Sequence, residues 1–90
     1  MNYVIELSER AESDIIKLKE SGDKQALKKL DKLIDELREH PETGTGSPER
    51  LRYTGKWSRR INRKHRLIYE IFEQIVTVQI VQAYGHYDDK

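Results

Sequence analysis

Ninety residues allow one domain and leave no room for a second independent core. Hydrophobic residues make up 36% and charged ones 37%, so the core must be built from one face of each element, and the absence of cysteine excludes a disulfide framework or a thiolate metal site. The net charge of +1 conceals a segregation: residues 50–66 hold Arg50, Arg52, Lys56, Arg59, Arg60, Arg63, Lys64 and Arg66 with no acid, while nine basic and sixteen acidic residues occupy the rest.

The start, Met1-Asn2-Tyr3-Val4-Ile5-Glu6, lacks a basic segment followed by a long apolar run. No stretch approaches the roughly 20 apolar residues of a membrane-spanning helix, so a cytoplasmic chain is expected. Tyr3, Ile5 and Leu7 alternate with Asn2, Val4 and Glu6, which predicts a short strand with one apolar face. Ser8 offers an N-cap, with Glu9 and Glu12 placed to suit the helix dipole. Ala11, Ile15 and Leu18 share a helical face, and Ser21-Gly22 ends it. Asp23 caps a second helix, predicted over Lys24–His40, whose stripe is Ala26, Leu27, Leu30, Leu33, Ile34 and Leu37. His40 is read as a dipole-compensating residue at that helix's C-terminus.

Residues 41–48 form a loop by composition, with both prolines and two of the five glycines. The period then changes from 3.6 to 2. Leu51 and Tyr53, then Trp57, Arg59 and Ile61, then Leu67, Tyr69 and Ile71, then residues 75–83 predict strands. Thr54-Gly55, Asn62-Arg63-Lys64 and Glu73-Gln74 are the turns between them. The order is strand, two helices, then three or four strands, which implies an α+β fold. Two N-terminal helices should pack on one face of a twisted antiparallel sheet. Trp57 and Arg59 share one face of their strand, Ser58 and Arg60 the other, and the sequence leaves open which is buried. Trp57 and Tyr69 are read as core residues.

An acid-free basic block draws phosphate. Cleaving RNA without a metal needs in-line positioning of the 2′-hydroxyl, removal of its proton, return of a proton to the leaving oxygen and neutralisation of phosphate charge. Arginine suits the last task and histidine the proton return. Glu49 at the front of the block, Arg66 within it and His86-Tyr87 beyond the last strand supply these parts. Arg52, Lys56, Arg59 and Arg60 are expected to contact RNA phosphates. The three histidines sit on separate elements without ligand spacing, so neither a metal site nor any other cofactor is expected.

Gly46-Ser47-Pro48-Glu49-Arg50-Leu51, Trp57-Ser58-Arg59-Arg60-Ile61, His65-Arg66-Leu67-Ile68-Tyr69 and the terminal His86-Tyr87 resemble the YoeB (Txe) toxins of the RelE/ParE superfamily. The family's patterns run G-x-P-E-x-L, W-S-R-R-I, E-H-R-L-V-Y and a final H-Y. The resemblance implies a RelE-like fold over residues 1–90 and a ribosome-dependent messenger RNA endonuclease acting at the decoding site. It implies neutralisation by a YefM/Axe-type antitoxin and allows a homodimer. In that family the residue matching Glu49 is the general base, that matching His86 the general acid, and that matching Arg66 a stabiliser of the transition state. The residue matching Tyr87 orients substrate, and those matching Arg52 and Arg60 contact phosphate. Arginines around Glu49 favour its carboxylate, so base and orienting residue both stay open for it. Lys64 stands where the pattern has an acid, Tyr84-Gly85 where an arginine often precedes the histidine, and Asp88-Asp89-Lys90 extend the usual end. A ParE-like gyrase inhibitor or a plain RNA-binding module are the competing readings; neither uses the set Glu49, Arg66 and His86.

Overall fold

A computed structural model describes residues 2–85. Strand β1 spans Val4–Leu7. Tyr3 and Ile5 turn toward the core, but Leu7 is exposed, so the alternation stops one residue early. Ser8 closes the strand and caps helix α1, Glu9–Glu20, its side-chain oxygen accepting the Ala11 amide at 3.0 Å. Ala11 and Leu18 are buried and Ile15 packs beside them, while Ile16 faces outward. Asp23 caps helix α2, Lys24–Leu37, through the Ala26 amide at 3.0 Å. Its buried stripe is Ala26, Leu30, Leu33 and Leu37, flanked by Leu27 and Ile34.

Helix α2 ends at Leu37, short of His40. The imidazole of His40 is exposed and lies 3.8 Å from Glu39. It is the backbone carbonyl of His40 that works, accepting a hydrogen bond from Arg59. The dipole-cap expectation for His40 is therefore corrected: the apolar stripe stops at Leu37, and the chain leaves the helix before the ring can lie on its axis.

Four more strands follow: β2, Glu49–Arg50; β3, Trp57–Arg60; β4, Arg66–Phe72; and β5, Thr77–Gln82. The sheet order is β1-β5-β4-β3-β2. Strands β2 to β5 are antiparallel neighbours, as short connections require. Strand β1 lies parallel to β5, with Val4 opposite Thr77 and Leu7 opposite Ile80, so the sheet is mixed. Hairpin logic governs only strands joined by a turn, and β1 is not joined to its neighbour that way. The Leu51–Tyr53 segment is also not a strand. Leu51 N–H bonds the Lys56 carbonyl at 2.7 Å and Gly55 N–H the Leu51 carbonyl at 3.1 Å, closing a loop through Gly55 at φ 74°.

Leu18, Leu30, Leu33 and Leu37 from the helices meet Leu67, Tyr69, Val78 and Ile80 from the sheet in one core. One polar group lies on the core-facing side of α1. Asp14, 1% exposed, accepts the Ala83 amide at 3.1 Å and pairs with Arg10 at 3.2 Å. It tethers the end of β5 to the helix. Asp14→Ala leaves the buried Ala83 amide without its acceptor and is expected to cost about 2 kcal/mol, read from the urea midpoint at unchanged slope.

Candidate active site

Register decides which side chains share a face. Trp57 and Arg59 stand on the helix-covered side of β3, opposite Tyr69 and Leu67, whereas Ser58 and Arg60 stand on the other. On that second face Glu49 lies opposite Ser58, Ser58 opposite Ile68, and Ile68 opposite Gln82. The next row pairs Arg60 with Arg66. Arg66 Nη1 donates to Ser58 Oγ at 3.4 Å. Glu49 and Arg66 therefore flank β3 from β2 and β4, two strand spacings across and two residues along, or roughly 12 Å apart between backbones. Ser58 and Ile68 form a buried floor between them, with Glu49 and Arg60 exposed at its rim.

Beside this row a cavity of about 250 Å³ is lined by Arg60, Asn62, Arg63 and Arg66. Among the described residues none of the three arginines makes an ion pair. Three guanidinium groups with no carboxylate of the described residues between them suit a phosphodiester, whose paired oxygens match their forked donors.

Arg59 is not part of that surface. It is fully buried, with Nε donating to Tyr69 Oη at 3.0 Å and Nη1 to Glu36 Oε1 at 2.9 Å and the Thr45 carbonyl at 3.3 Å. Nη2 donates to the carbonyls of Thr43, at 2.7 Å, and His40. Tyr69 Oη in turn donates a hydrogen bond to the Pro41 carbonyl at 2.7 Å. The expectation that Arg59 contacts phosphate is thereby corrected, because every donor of its guanidinium is committed inside the protein. Its task is to staple the loop of residues 41–48 to the sheet, and that loop delivers Glu49 to the edge strand.

Glu36 completes the staple, accepting Thr45 N–H at 2.7 Å and Thr45 Oγ1 at 2.6 Å. The loop passes too close for side chains at its glycines. A Cβ on Gly46, at φ 87°, would stand 2.9 Å from the Arg60 carbonyl, and one on Gly44 would collide with the Glu36 carboxylate. Burial pushes the pKa of Glu36 up, but the bonds from Thr45 and the Arg59 guanidinium outweigh it and hold the carboxyl below its ordinary 4.5. A depressed folded value means stability that is complete above about pH 4.5 and lost as pH falls through the folded pKa. Glu36→Gln should therefore lower stability at neutral pH and flatten the acid limb of a stability-against-pH curve. For Tyr69, burial raises the pKa against the opposing pull of Arg59, keeping its hydroxyl a donor at neutral pH.

The remaining expected contacts divide. Arg52 lies in the exposed turn after β2, its guanidinium 5.6 Å from the Tyr53 ring centre, and Lys56 is half-buried in the same loop. Both sit at the Trp57 end of β3, away from Arg60 and Arg66 at the other, so the structure does not bring these two pairs together. His86 and Tyr87 lie outside the described residues. The last described residue, Gly85, is held against the site, its carbonyl accepting the Arg66 amide at 3.0 Å. Sequence reasoning missed Glu36 and Asp14 as structural partners. A signal existed for Asp14, which falls at i+3 from Ala11 on the apolar stripe, and for Arg59, which stands at i+2 from a tryptophan assigned to the core, but none for Glu36.

Among the described residues no helix is long and apolar enough to cross a membrane. Residues 8–87 match the family model described as YoeB-like toxin of bacterial type II toxin-antitoxin system. Toxin YoeB of Escherichia coli K12 is 40% identical over 58 residues, which are 62% of this chain and 69% of that protein. The YoeB of the heterotetrameric YoeB–YefM toxin–antitoxin complex from Staphylococcus aureus superposes with a TM-score of 0.75 at 33% identity, covering 97% of this chain and 100% of that one. The YoeB dimer from Staphylococcus aureus gives 0.79 at 32%, with the same coverage. With two capped helices on a five-stranded sheet of the same architecture, the chain belongs to the YoeB-like toxins of bacterial type II toxin–antitoxin systems.

Proposed function

We propose that this toxin is a ribosome-dependent messenger RNA endoribonuclease that needs no metal. The observation that carries the reading is the grouping of Glu49, Arg60 and Arg66 on one sheet face around Ser58, beside a cavity lined among the described residues by three arginines and Asn62. The ribose 2′-oxygen attacks the adjacent phosphorus and the bond from phosphorus to the 5′-oxygen breaks. The products are a 2′,3′-cyclic phosphate and a 5′-hydroxyl. Glu49 takes the 2′-hydroxyl proton or orients that hydroxyl, and His86 returns a proton to the departing 5′-oxygen. Arg66, with Arg60, balances the charge that builds on the phosphate oxygens, and Tyr87 orients the nucleotide. The ribosome presents the message at its decoding site, and the reaction takes place in the cytoplasm.

The proposed physiological inhibitor is an acidic antitoxin of the YefM/Axe kind, whose carboxylates compete for the same arginines as it folds on docking. YefM is the partner in the Staphylococcus aureus complex, and the dimer from that organism supports a homodimeric form here.

The experiment adds purified toxin to translating ribosomes carrying a defined message and maps the cut ends. Cleavage with cyclic-phosphate ends supports the reading; uncut message with Arg66→Ala indistinguishable from wild type defeats it. A pH–rate profile separates the roles of Glu49. A base predicts that Glu49→Gln and Glu49→Ala both lose the acid limb, whereas an orienting residue predicts that Glu49→Gln keeps most activity.

A further inference from the structure

We infer that His65 is a positioning residue of this active site, holding through its Nδ1 atom the chain segment that leads to His86 and Tyr87. The inference rests on the nuclease reading above and adds a residue which that reading does not use.

Gly85 is pinned at both ends of its backbone by two consecutive residues. Its N–H donates to His65 Nδ1 at 2.9 Å, and its carbonyl accepts the Arg66 N–H at 3.0 Å. An Nδ1 that accepts carries no proton, so the imidazole is neutral with its hydrogen on Nε2. Gly85 stands at φ 83°, the left-handed region that glycine enters without strain, and this sets the direction of the chain at that point.

The imidazole is itself held firmly. Its ring lies 4.2 Å from that of Tyr84 at an interplanar angle of 35°, and Lys17 of α1 approaches the other ring at 5.6 Å. The His65 N–H donates to Asn62 Oδ1 at 2.9 Å, and its carbonyl accepts the amides of Ile61 and Asn62 at 3.0 and 3.2 Å. Upstream, Ala83 N–H is bonded to the buried Asp14 carboxylate and the Tyr84 carbonyl to Gln82 Nε2 at 3.3 Å. Residues 83–85 are thus tied to α1, to the turn before β4 and to β5.

Four hydrogen bonds among the described residues fix three residues beyond the last strand. They fit a requirement of the chemistry. A proton donor displaced by about 1 Å can lose two orders of magnitude in rate, so the segment carrying it must leave the fold from a fixed point beside Arg66. Among the described residues His65 supplies the side-chain acceptor of the Gly85 amide, immediately next to the residue that neutralises the phosphate.

The test compares wild type, His65→Leu and His65→Asn, the last keeping an acceptor near the Nδ1 position. Message cleavage on programmed ribosomes gives kcat and KM, and amide exchange of ¹⁵N-labelled protein reports the Gly85 N–H without reference to activity. We expect His65→Leu to lose Gly85 protection and about tenfold or more in kcat with KM within about twofold, and His65→Asn to restore both. If His65→Leu does not fold by circular dichroism, His65→Gln, whose acceptor lies one methylene further out, takes its place with the same expectation. Wild-type kcat in the variant that has lost Gly85 protection overturns the inference, as does a His65→Asn protein no better than His65→Leu. A wild-type protein that leaves the message uncut overturns the nuclease reading instead, while its Gly85 exchange still reports whether His65 holds the segment.

Discussion

Replacing Arg66 with alanine is expected to lower message cleavage by about 10²–10³-fold, the loss typical of removing one preorganised donor from a developing oxyanion. The fold should survive. Among the described residues the only side-chain hydrogen bond of Arg66 is the 3.4 Å contact with Ser58 Oγ, long for a hydrogen bond, and the backbone N–H that holds Gly85 is kept in alanine. Thermal midpoint and antitoxin-free solubility should therefore stay near wild type, while kcat falls. Arg66→Lys separates charge from geometry: it keeps a cation but loses the two-pronged donor, so it should recover only part of the rate. Cleavage by Arg66→Ala at the wild-type rate would remove Arg66 from the chemistry altogether.

The second large effect is on stability and falls on a residue of the same basic block. Arg59→Ala strips the half-buried Glu36 carboxylate of its cation and leaves the carbonyls of His40, Thr43 and Thr45 without the donor they share. Each buried acceptor left unpaired costs about 1–3 kcal/mol, so losing several of them at once costs about 3 kcal/mol or more. In a domain of this size each kcal/mol moves the thermal midpoint by roughly 4–8 °C, so Arg59→Ala should melt more than ten degrees, about that at least, below wild type. Arg59→Lys should rescue little, because a single ammonium cannot reach Tyr69, Glu36 and three carbonyls together. Differential scanning fluorimetry and urea titration check both. A near-wild-type midpoint for Arg59→Ala would show that the staple contributes nothing net. The pair of results would divide the basic block physically: Arg66 affects rate without stability, and Arg59 acts through the fold and the loop that carries Glu49.

That division could not be read from residue types. Alternation along β3 put Trp57 with Arg59 and Ser58 with Arg60, which is as far as a period of 2 can go. Arg59 looks like its neighbours in charge and spacing, and only the packing of α1 and α2 on one side turns it inward. Once there, a guanidinium is tolerable because the loop of residues 41–48 brings carbonyls and α2 brings Glu36, segments distant in sequence. The parallel placement of β1 beside β5 was hidden for a related reason: no turn joins them, and their pairing is chosen by which sheet edge lets β1 and the two helices bury their apolar faces together.

Local chemistry, by contrast, was legible. Ser8 and Asp23 cap their helices through the third residue onward, as short oxygen-bearing side chains do wherever the following turn is helical. The stripe from Ala26 to Leu37 is buried as its spacing requires. The acid-free run of residues 50–66 and Glu49 before it are composition, visible without coordinates. What the sequence alone determined about this protein is therefore its helices, its succession of antiparallel strands and the presence of a surplus of arginines, because these depend on neighbours within a few residues. What only the tertiary structure decided is which arginines face solvent: Arg60 and Arg66 line a cavity and Arg59 builds the core, since the face of a strand is chosen by what packs against it.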